Sequence, residues 1–238
     1  MHIQTVAKVE EISLKQVIDK TVIVIDVLRA SSTIVTALAS GFTSVIPVQS
    51  ADEAFALHSF NNVLAGEWHC KKREGFEYNN SPVSIRKKDH TGKHLILTTT
   101  NGTRAIEKAR KADSLFIGCF LNASACMNQA MKQHRDITIY CAGTRNEFAL
   151  EDGLAAGFMV HLAKKQTPSI EICDFSEAME SCYLQLAHRL PNLLYTTTTG
   201  KRLVKHQYTE DIDYCSQIDL LQIVPIEKEN RILSCSDT

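Results

Sequence analysis

Two hydroxyl-rich segments hold the residues best suited to chemistry. One is Asp26-Val27-Leu28-Arg29-Ala30-Ser31-Ser32-Thr33, the other Thr98-Thr99-Thr100-Asn101-Gly102-Thr103-Arg104. Each follows an apolar β-type run, Val22 to Ile25 and Leu95 to Leu97, and each leads into a helix-like stretch. A strand that ends in hydroxyls, an Arg and a helix N-terminus suits an anion. The free N–H groups of the first turn and the positive dipole end face the ligand. Ser31, Ser32, Thr33, Thr99, Asn101, Gly102 and Thr103 form the expected cradle, and Arg29 adds a two-pronged donor. Two such loops point to a doubly charged or two-headed anion, such as a phosphate ester with a second acidic group. The competing reading is that Ser31 and Asn101 simply cap helices.

Four acids stand at similar positions. Asp26 ends one strand-like run and Glu67 follows Gly66 at the end of another. Glu151 and Asp152 open the helical stretch after Cys141-Ala142-Gly143-Thr144, and Gly143 joins the expected binding set. Acids so placed suit a hard divalent cation such as Mg2+, which takes oxygen ligands and keeps some waters. For Glu151 and Asp152 a favourable interaction with the helix dipole is an equal reading. For Asp26 the functional reading is favoured, because an unpaired acid at the end of an apolar run is costly. Asn80 and Ser81, in the polar loop Glu74 to Pro82, can donate to an anion or orient water, or serve as turn residues. Asn122 is a ligand candidate, with a helix cap favoured.

Several phosphate chemistries fail on the text. No G-x-x-x-x-G-K-[ST] loop is present. A phosphoaspartate phosphatase would carry a second Asp two positions after the first, whereas Asp26 is followed by Val27 and Leu28. A cysteine phosphatase wants an Arg six positions after the nucleophile. Cys119 has Ala125 there, and Cys141 has Glu147. His90 and His94 flank Gly92, which favours a turn over a metal-binding helix.

These loops need a scaffold, and the pattern supplies one. Strand-like runs fall at Thr21–Val27, Ser44–Val48, Asn62–Ala65, His94–Thr98, Ser114–Gly118, Asp136–Cys141 and Leu220–Val224. Helical stretches fall at Ser31–Ser40, Ala51–His58, Gly102–Lys111, Ala123–Gln133 and Leu150–Lys164. The alternation predicts a three-layer α/β/α protein with a largely parallel sheet, mixed strands being allowed. The right-handed crossover rule then gathers the strand-end loops on one side, where ligands of such sheets sit. From Ser169 to Asp213 the pattern is helical, and the tail from Glu227 reads as peripheral or frayed. A single domain over residues 1–238 is expected. A weak echo between Ala37–Phe42 and Gly153–Phe158 leaves an internal duplication open, with halves of about 1–118 and 119–238.

Composition narrows the class. The 238 residues include 26 basic and 27 acidic ones, for a net charge of −1. No basic surplus points to nucleic acid. The start lacks a signal-peptide plan, and no apolar run approaches the ~20 residues that span a bilayer. A soluble cytoplasmic protein is expected. The eight cysteines form no C-x-x-C pair. Most read as small buried hydrophobes, and disulfides are not expected in that compartment. A homodimer is left open.

Taken in order, the motifs resemble the 2-phosphosulfolactate phosphatase family. The matching text is Val24 to Thr33, Leu64-Ala65-Gly66-Glu67, Gly75-Phe76 with Asn80-Ser81-Pro82, and Thr99 to Arg104. Further on come Asn122, Cys141-Ala142-Gly143, Glu151-Asp152 with Ala156-Gly157, Gly200-Lys201-Arg202 and Asp211-Ile212. The resemblance runs from about Val22 to Pro225. It implies a Mg2+-dependent hydrolase that cleaves the phosphate ester of a small sulfonated hydroxy acid, giving sulfolactate and phosphate. After Gly-Glu the family tends to show Arg followed by glycines, whereas this chain has Trp68, His69 and Cys70. Indole offers one N–H and no charge, so Trp68 cannot replace an anion-gripping Arg.

On this reading Asp26, Glu67, Glu151 and Asp152 hold or orient the metal, and Arg29 joins Asp26, Glu67 and Asp152 in catalysis. Ser31, Ser32, Thr33, Asn80, Ser81, Thr99, Asn101, Gly102, Thr103, Asn122 and Gly143 bind the substrate. Water is the preferred nucleophile, with Asp26 as a covalent nucleophile second. Two alternatives stand beside it: a phosphatase of the same fold acting on another small phosphorylated acid, and a non-catalytic phospholigand-binding protein.

Overall fold

The computed structural model describes residues 1–235. Among them eleven strands form one sheet. In chain order these are β1 (His2–Val6), β2 (Thr21–Ile25), β3 (Ser44–Val48), β4 (Asn62–Trp68), β5 (Lys71–Lys72), β6 (His94–Thr98), β7 (Ser114–Gly118), β8 (Ile137–Cys141), β9 (Glu171–Ile172), β10 (Pro225–Lys228) and β11 (Arg231–Ser234). Across the sheet the order is β5-β4-β6-β3-β11-β10-β7-β2-β8-β1-β9. It holds two parallel blocks, β4-β6-β3 and β7-β2-β8-β1-β9. The antiparallel hairpin β10–β11 joins them through single pairings, Ile226 with Phe116 and Ile232 with Val45. The sheet is therefore mixed but mostly parallel, as the alternating pattern predicts.

The helices are α1 (Ala30–Ala39), α2 (Ala51–Ala56), α3 (Pro82–Ile85), α4 (Gly102–Ala109), α5 (Ala123–Met131), α6 (Leu150–Gln166), α7 (Asp174–Leu186), α8 (Asn192–Thr196), α9 (Thr198–Lys205) and α10 (Thr209–Cys215). Strand β2 shows why the layers form. All five of its residues are buried, and successive side chains serve opposite faces. Ile23 and Ile25 join the apolar cluster containing Met127 of α5 and Met159 of α6. Val22 and Val24 join the one containing Ala105 and Ile106 of α4. Each such Ile or Val contributes roughly 1.5–3 kcal/mol relative to exposure. None of the described helices is long and apolar enough to cross a membrane.

Two expectations need correction. Leu220–Val224 is not a strand: it is irregular chain, tied down by Leu221 N donating to Leu121 O and by the Asn122 amide donating to Ile223 O. The strand starts at Pro225, a first position that needs no N–H. The tail is not frayed through Ser234. Ile232 is fully buried and closes the gap between the two parallel blocks. The echoing segments also differ in structure. Gly41 follows α1 at φ 94°, whereas Gly153 and Gly157 lie inside α6. Strands from both sides of residue 118 interleave, with β8 lying between β2 and β1.

Candidate active site

The loops after β2, β4, β6 and β8 meet in one cleft with the start of α9. Asp26, Arg29, Glu67, Asn80, Thr99, Asn101 and Gly143 line it, together with His69, Cys70, Thr144, Arg145, Thr199 and Arg202. Four strands separate β6 from β2 in the sheet order, yet α4 crosses onto β2. Gly102 makes this approach possible. A Cβ there would lie 2.4 Å from Ala30 Cβ and 2.7 Å from Asp26 Oδ2.

Asp26 sits at the centre. Its Oδ1 accepts from Ala30 N at 3.2 Å, at the N-terminus of α1, while Oδ2 accepts no hydrogen bond among the described residues. Burial pushes its carboxyl up to about 7 against the pull of the Ala30 N–H. Glu67 and Glu151 push the same way, and Arg29 opposes them. The first turn of α1 thus serves this aspartate.

Asp152 joins two loops. Its Oδ1 accepts from Val27 N at 2.8 Å and its Oδ2 from Gly143 N at 3.0 Å. Burial, Asp26 and Glu151 push its carboxyl well above the ordinary range, and the two N–H groups pull it down. Gly143 sits at φ 66°, and a Cβ there would come within 2.5 Å of Glu147 O, so the loop turns sharply enough to offer that N–H. Its carbonyl accepts from Asn101 Nδ2 at 3.0 Å, which ties the β6 loop to the β8 loop.

Glu67 is also fully engaged. Oε1 accepts from Thr100 N at 2.9 Å and Thr100 Oγ1 at 2.7 Å, and Oε2 accepts from Cys70 N at 2.7 Å. Glu151 is buried at the start of α6, and its Oε2 has no partner. Of the four acids, then, Asp26 and Glu151 keep an open oxygen, while Glu67 and Asp152 hold loops. Among the described residues no three His, Cys, Asp or Glu side chains form a ready metal-binding group. One or two carboxylates plus substrate oxygens and water suffice for Mg2+, however, and Asp26 with the orphaned Glu151 fits that pattern.

Arg29 is held differently from a free two-pronged anion donor. Its Nη1 donates to Asp211 Oδ2 at 2.6 Å and its Nη2 to Asn79 Oδ1 at 3.1 Å, with the Tyr208 ring 4.5 Å below. Ser81 Oγ and Val83 N donate to the other oxygen of Asp211. Asn80, beside this network, lines the cleft with a buried Oδ1 that has no partner.

Other expected cradle residues are internal. Ser31 Oγ accepts from Asp26 N and donates to Val24 O, and Ser32 Oγ donates to Val27 O. Thr33 is buried without a hydroxyl partner. Thr99 Oγ1 accepts from Thr103 N, and Thr103 Oγ1 donates to Thr99 O, closing the first turn of α4. Asn122 lies away from the cleft, bonded to Cys119 N, Ile117 O and Ile223 O. The hydroxyls of Ser31 and Ser32 are fold staples, because a short side chain after a buried strand meets nearby backbone first.

The sequence reading missed two cations. Arg202 donates to Thr144 Oγ1 and to Thr199 Oγ1, and its Nε is buried and unpartnered. Arg145, in the turn after β8, bonds His69 Nδ1 at 3.0 Å. Arg202 and Asp211 stand in the late Gly200-Lys201-Arg202 and Asp211-Ile212 text, whose spacing carries no sign of their roles. Trp68 points elsewhere. It is 55% exposed, lies under Arg73, and lines a separate shallow depression with Lys71 and Lys72. The buried thiols are poor nucleophiles. Burial pushes Cys119 up to about 12, and burial with Asp152 pushes Cys141 well above its ordinary value.

A family model described as 2-phosphosulpholactate phosphatase matches residues 6–230. The chain belongs to the 2-phosphosulpholactate phosphatase family. Membership makes it an enzyme, a phosphoric monoester hydrolase. A probable 2-phosphosulfolactate phosphatase of Caldanaerobacter subterraneus subsp. tengcongensis is 37% identical over 241 residues, covering 100% of both chains. One of Thermotoga maritima is 38% identical over 206 residues, covering 87% of this chain and 88% of its own. One of Clostridium kluyveri is 31% identical over 239 residues, covering 99% and 98%.

Proposed function

We propose that the protein hydrolyses 2-phosphosulfolactate to sulfolactate and phosphate with the help of Mg2+. The observation that carries this reading is the environment of Asp26. It is a buried carboxylate with one open oxygen, set among three further acids at a cleft that also bears arginines. A buried cluster of negative charge needs a cation, and a phosphoester dianion needs positive charge on its oxygens. Mg2+ answers both needs, supplying charge to the transferred phosphoryl group when bound.

Asp26 Oδ2 and the unpartnered Glu151 Oε2 would hold the metal. Asp152 and Glu67 act at one remove, holding the β2, β8 and β4 loops at fixed spacing around it. The loop Thr99 to Asn101 and Arg202, which line the cleft, would face the phosphoryl oxygens. Asn80 Oδ1 is an acceptor without a partner, placed to take a hydrogen bond from the attacking water. Arg29 fixes the cleft wall through Asp211.

The test is phosphate release from a panel of small phosphoesters. The highest kcat/KM should fall on 2-phosphosulfolactate. A clear preference for another phosphorylated acid would move the protein to a different substrate, and no release from any ester would favour a ligand-binding role.

A further inference from the structure

We propose that Arg145, steadied by His69, grips the second acidic group of the substrate. The inference rests on the phosphatase reading and names the specificity determinant of that same cleft.

Two tight turns face each other at the cleft. In the first, Trp68 pairs with Lys71, and His69 and Cys70 between them have φ of 54° and 68°. In the second, Thr144 and Glu147 exchange both backbone hydrogen bonds, and Arg145 and Asn146 have φ of 52° and 65°. Turns of this kind favour Gly and Asn, because both central residues are left-handed. Of the four central residues only Asn146 is of that kind, and the other three, His69, Cys70 and Arg145, line the cleft. Arg145, a long side chain held at φ 52°, is the least expected of them there.

The two turns touch through Arg145 and His69. An Arg N–H donates, so His69 Nδ1 accepts, and the ring proton sits on Nε2 as a second donor. His69 is the sole hydrogen-bond partner of Arg145 among the described residues. Its charge is therefore not neutralised by a carboxylate, unlike that of Arg29, which is paired with Asp211. A planar cation beside a neutral donor suits a carboxylate or a sulfonate. Arg145 thus supplies the grip that Trp68, turned onto Arg73, does not.

The test is the ratio of kcat/KM for 2-phosphosulfolactate to that for glycerol 2-phosphate, which lacks the second acid. Arg145→Ala should lower this ratio about tenfold, mainly through KM for the diacid, and Arg145→Lys should restore part of it. His69→Asn, at the positioning residue, should lower it less. Trp68→Arg should leave it within about twofold. An unchanged ratio in Arg145→Ala, or an equal loss on both esters, overturns the proposal.

A parent protein that hydrolyses neither ester would sink the phosphatase reading. Calorimetric titration with sulfolactate then decides on Arg145 by itself. Binding that weakens about tenfold in Arg145→Ala supports the assignment. Equal binding in the two proteins, or none by the parent, overturns it.

Discussion

Arg29 and Asp211 lie 182 positions apart in the chain and form an ion pair of 2.6 Å, each side chain only 2% exposed. The pair joins the loop after β2 to α10 and thereby sets one wall of the cleft. Removing one partner leaves the other charge buried alone. Asp211→Asn should therefore cost about 3–5 kcal/mol of stability. Arg29→Lys should lose activity as well as stability, because an ammonium cannot bridge Asp211 and Asn79 as the planar fork does. Urea unfolding midpoints and kcat for both variants check this. A stable Asp211→Asn protein would show that the pair is replaceable.

Gly102 gives a second prediction. Its missing side chain lets the start of α4 rest against Asp26 and Ala30. Gly102→Ala should cost about 1–3 kcal/mol by overpacking and should lower kcat by moving the β6 loop from Asp26. Thermal unfolding and steady-state kinetics measure the two effects. Parent-like kcat in a folded variant would mean that the close approach has no bearing on turnover.

The charge on Asp26 gives a third. Its carboxyl is raised from 3.8 to about 7 in the folded protein. Between those values the folded state keeps a proton that the unfolded state has released. Stability conferred by this group is present at low pH and is lost as pH rises towards about 7. In EDTA the parent should therefore weaken from pH 5 to pH 8 more steeply than Asp26→Asn, which has no such proton. Urea midpoints at both pH values test it. Equal slopes would mean that the carboxyl is not raised.

Some of this was legible in the sequence, and physics explains the limits. Asp26, Glu67, Asn101 and Gly143 were read as neighbours because strand-end loops of a parallel sheet gather on one side, and all four line the cleft. What each side chain does there was less legible. Glu67 and Asp152 looked like ligands, but whether an acid meets a metal or an N–H depends on loops distant in the chain. Ser31 and Ser32 looked like anion donors, and their i to i−5 and i−7 bonds to the strand backbone carry no separate signature. The partner of Arg29 is set by tertiary folding alone. Strand β11 was missed because Ile232 is its one buried side chain, too little for an alternating pattern. The polar Glu229-Asn230 turn, with φ of 51° and 64°, between Ile226 and Ile232 was the available signal.

The proposed hydrolysis depends above all on Asp26 acting with a bound divalent cation. The most direct measurement is phosphate release from 2-phosphosulfolactate by the parent and by Asp26→Asn, each with Mg2+ and after exhaustive chelation. The amide keeps the shape of the side chain and removes its charge. The parent should turn over with Mg2+, lose activity on chelation and regain it with Mg2+, and the folded variant should drop by about 100-fold or more. Full activity after chelation, or near-parent kcat in Asp26→Asn, would contradict it.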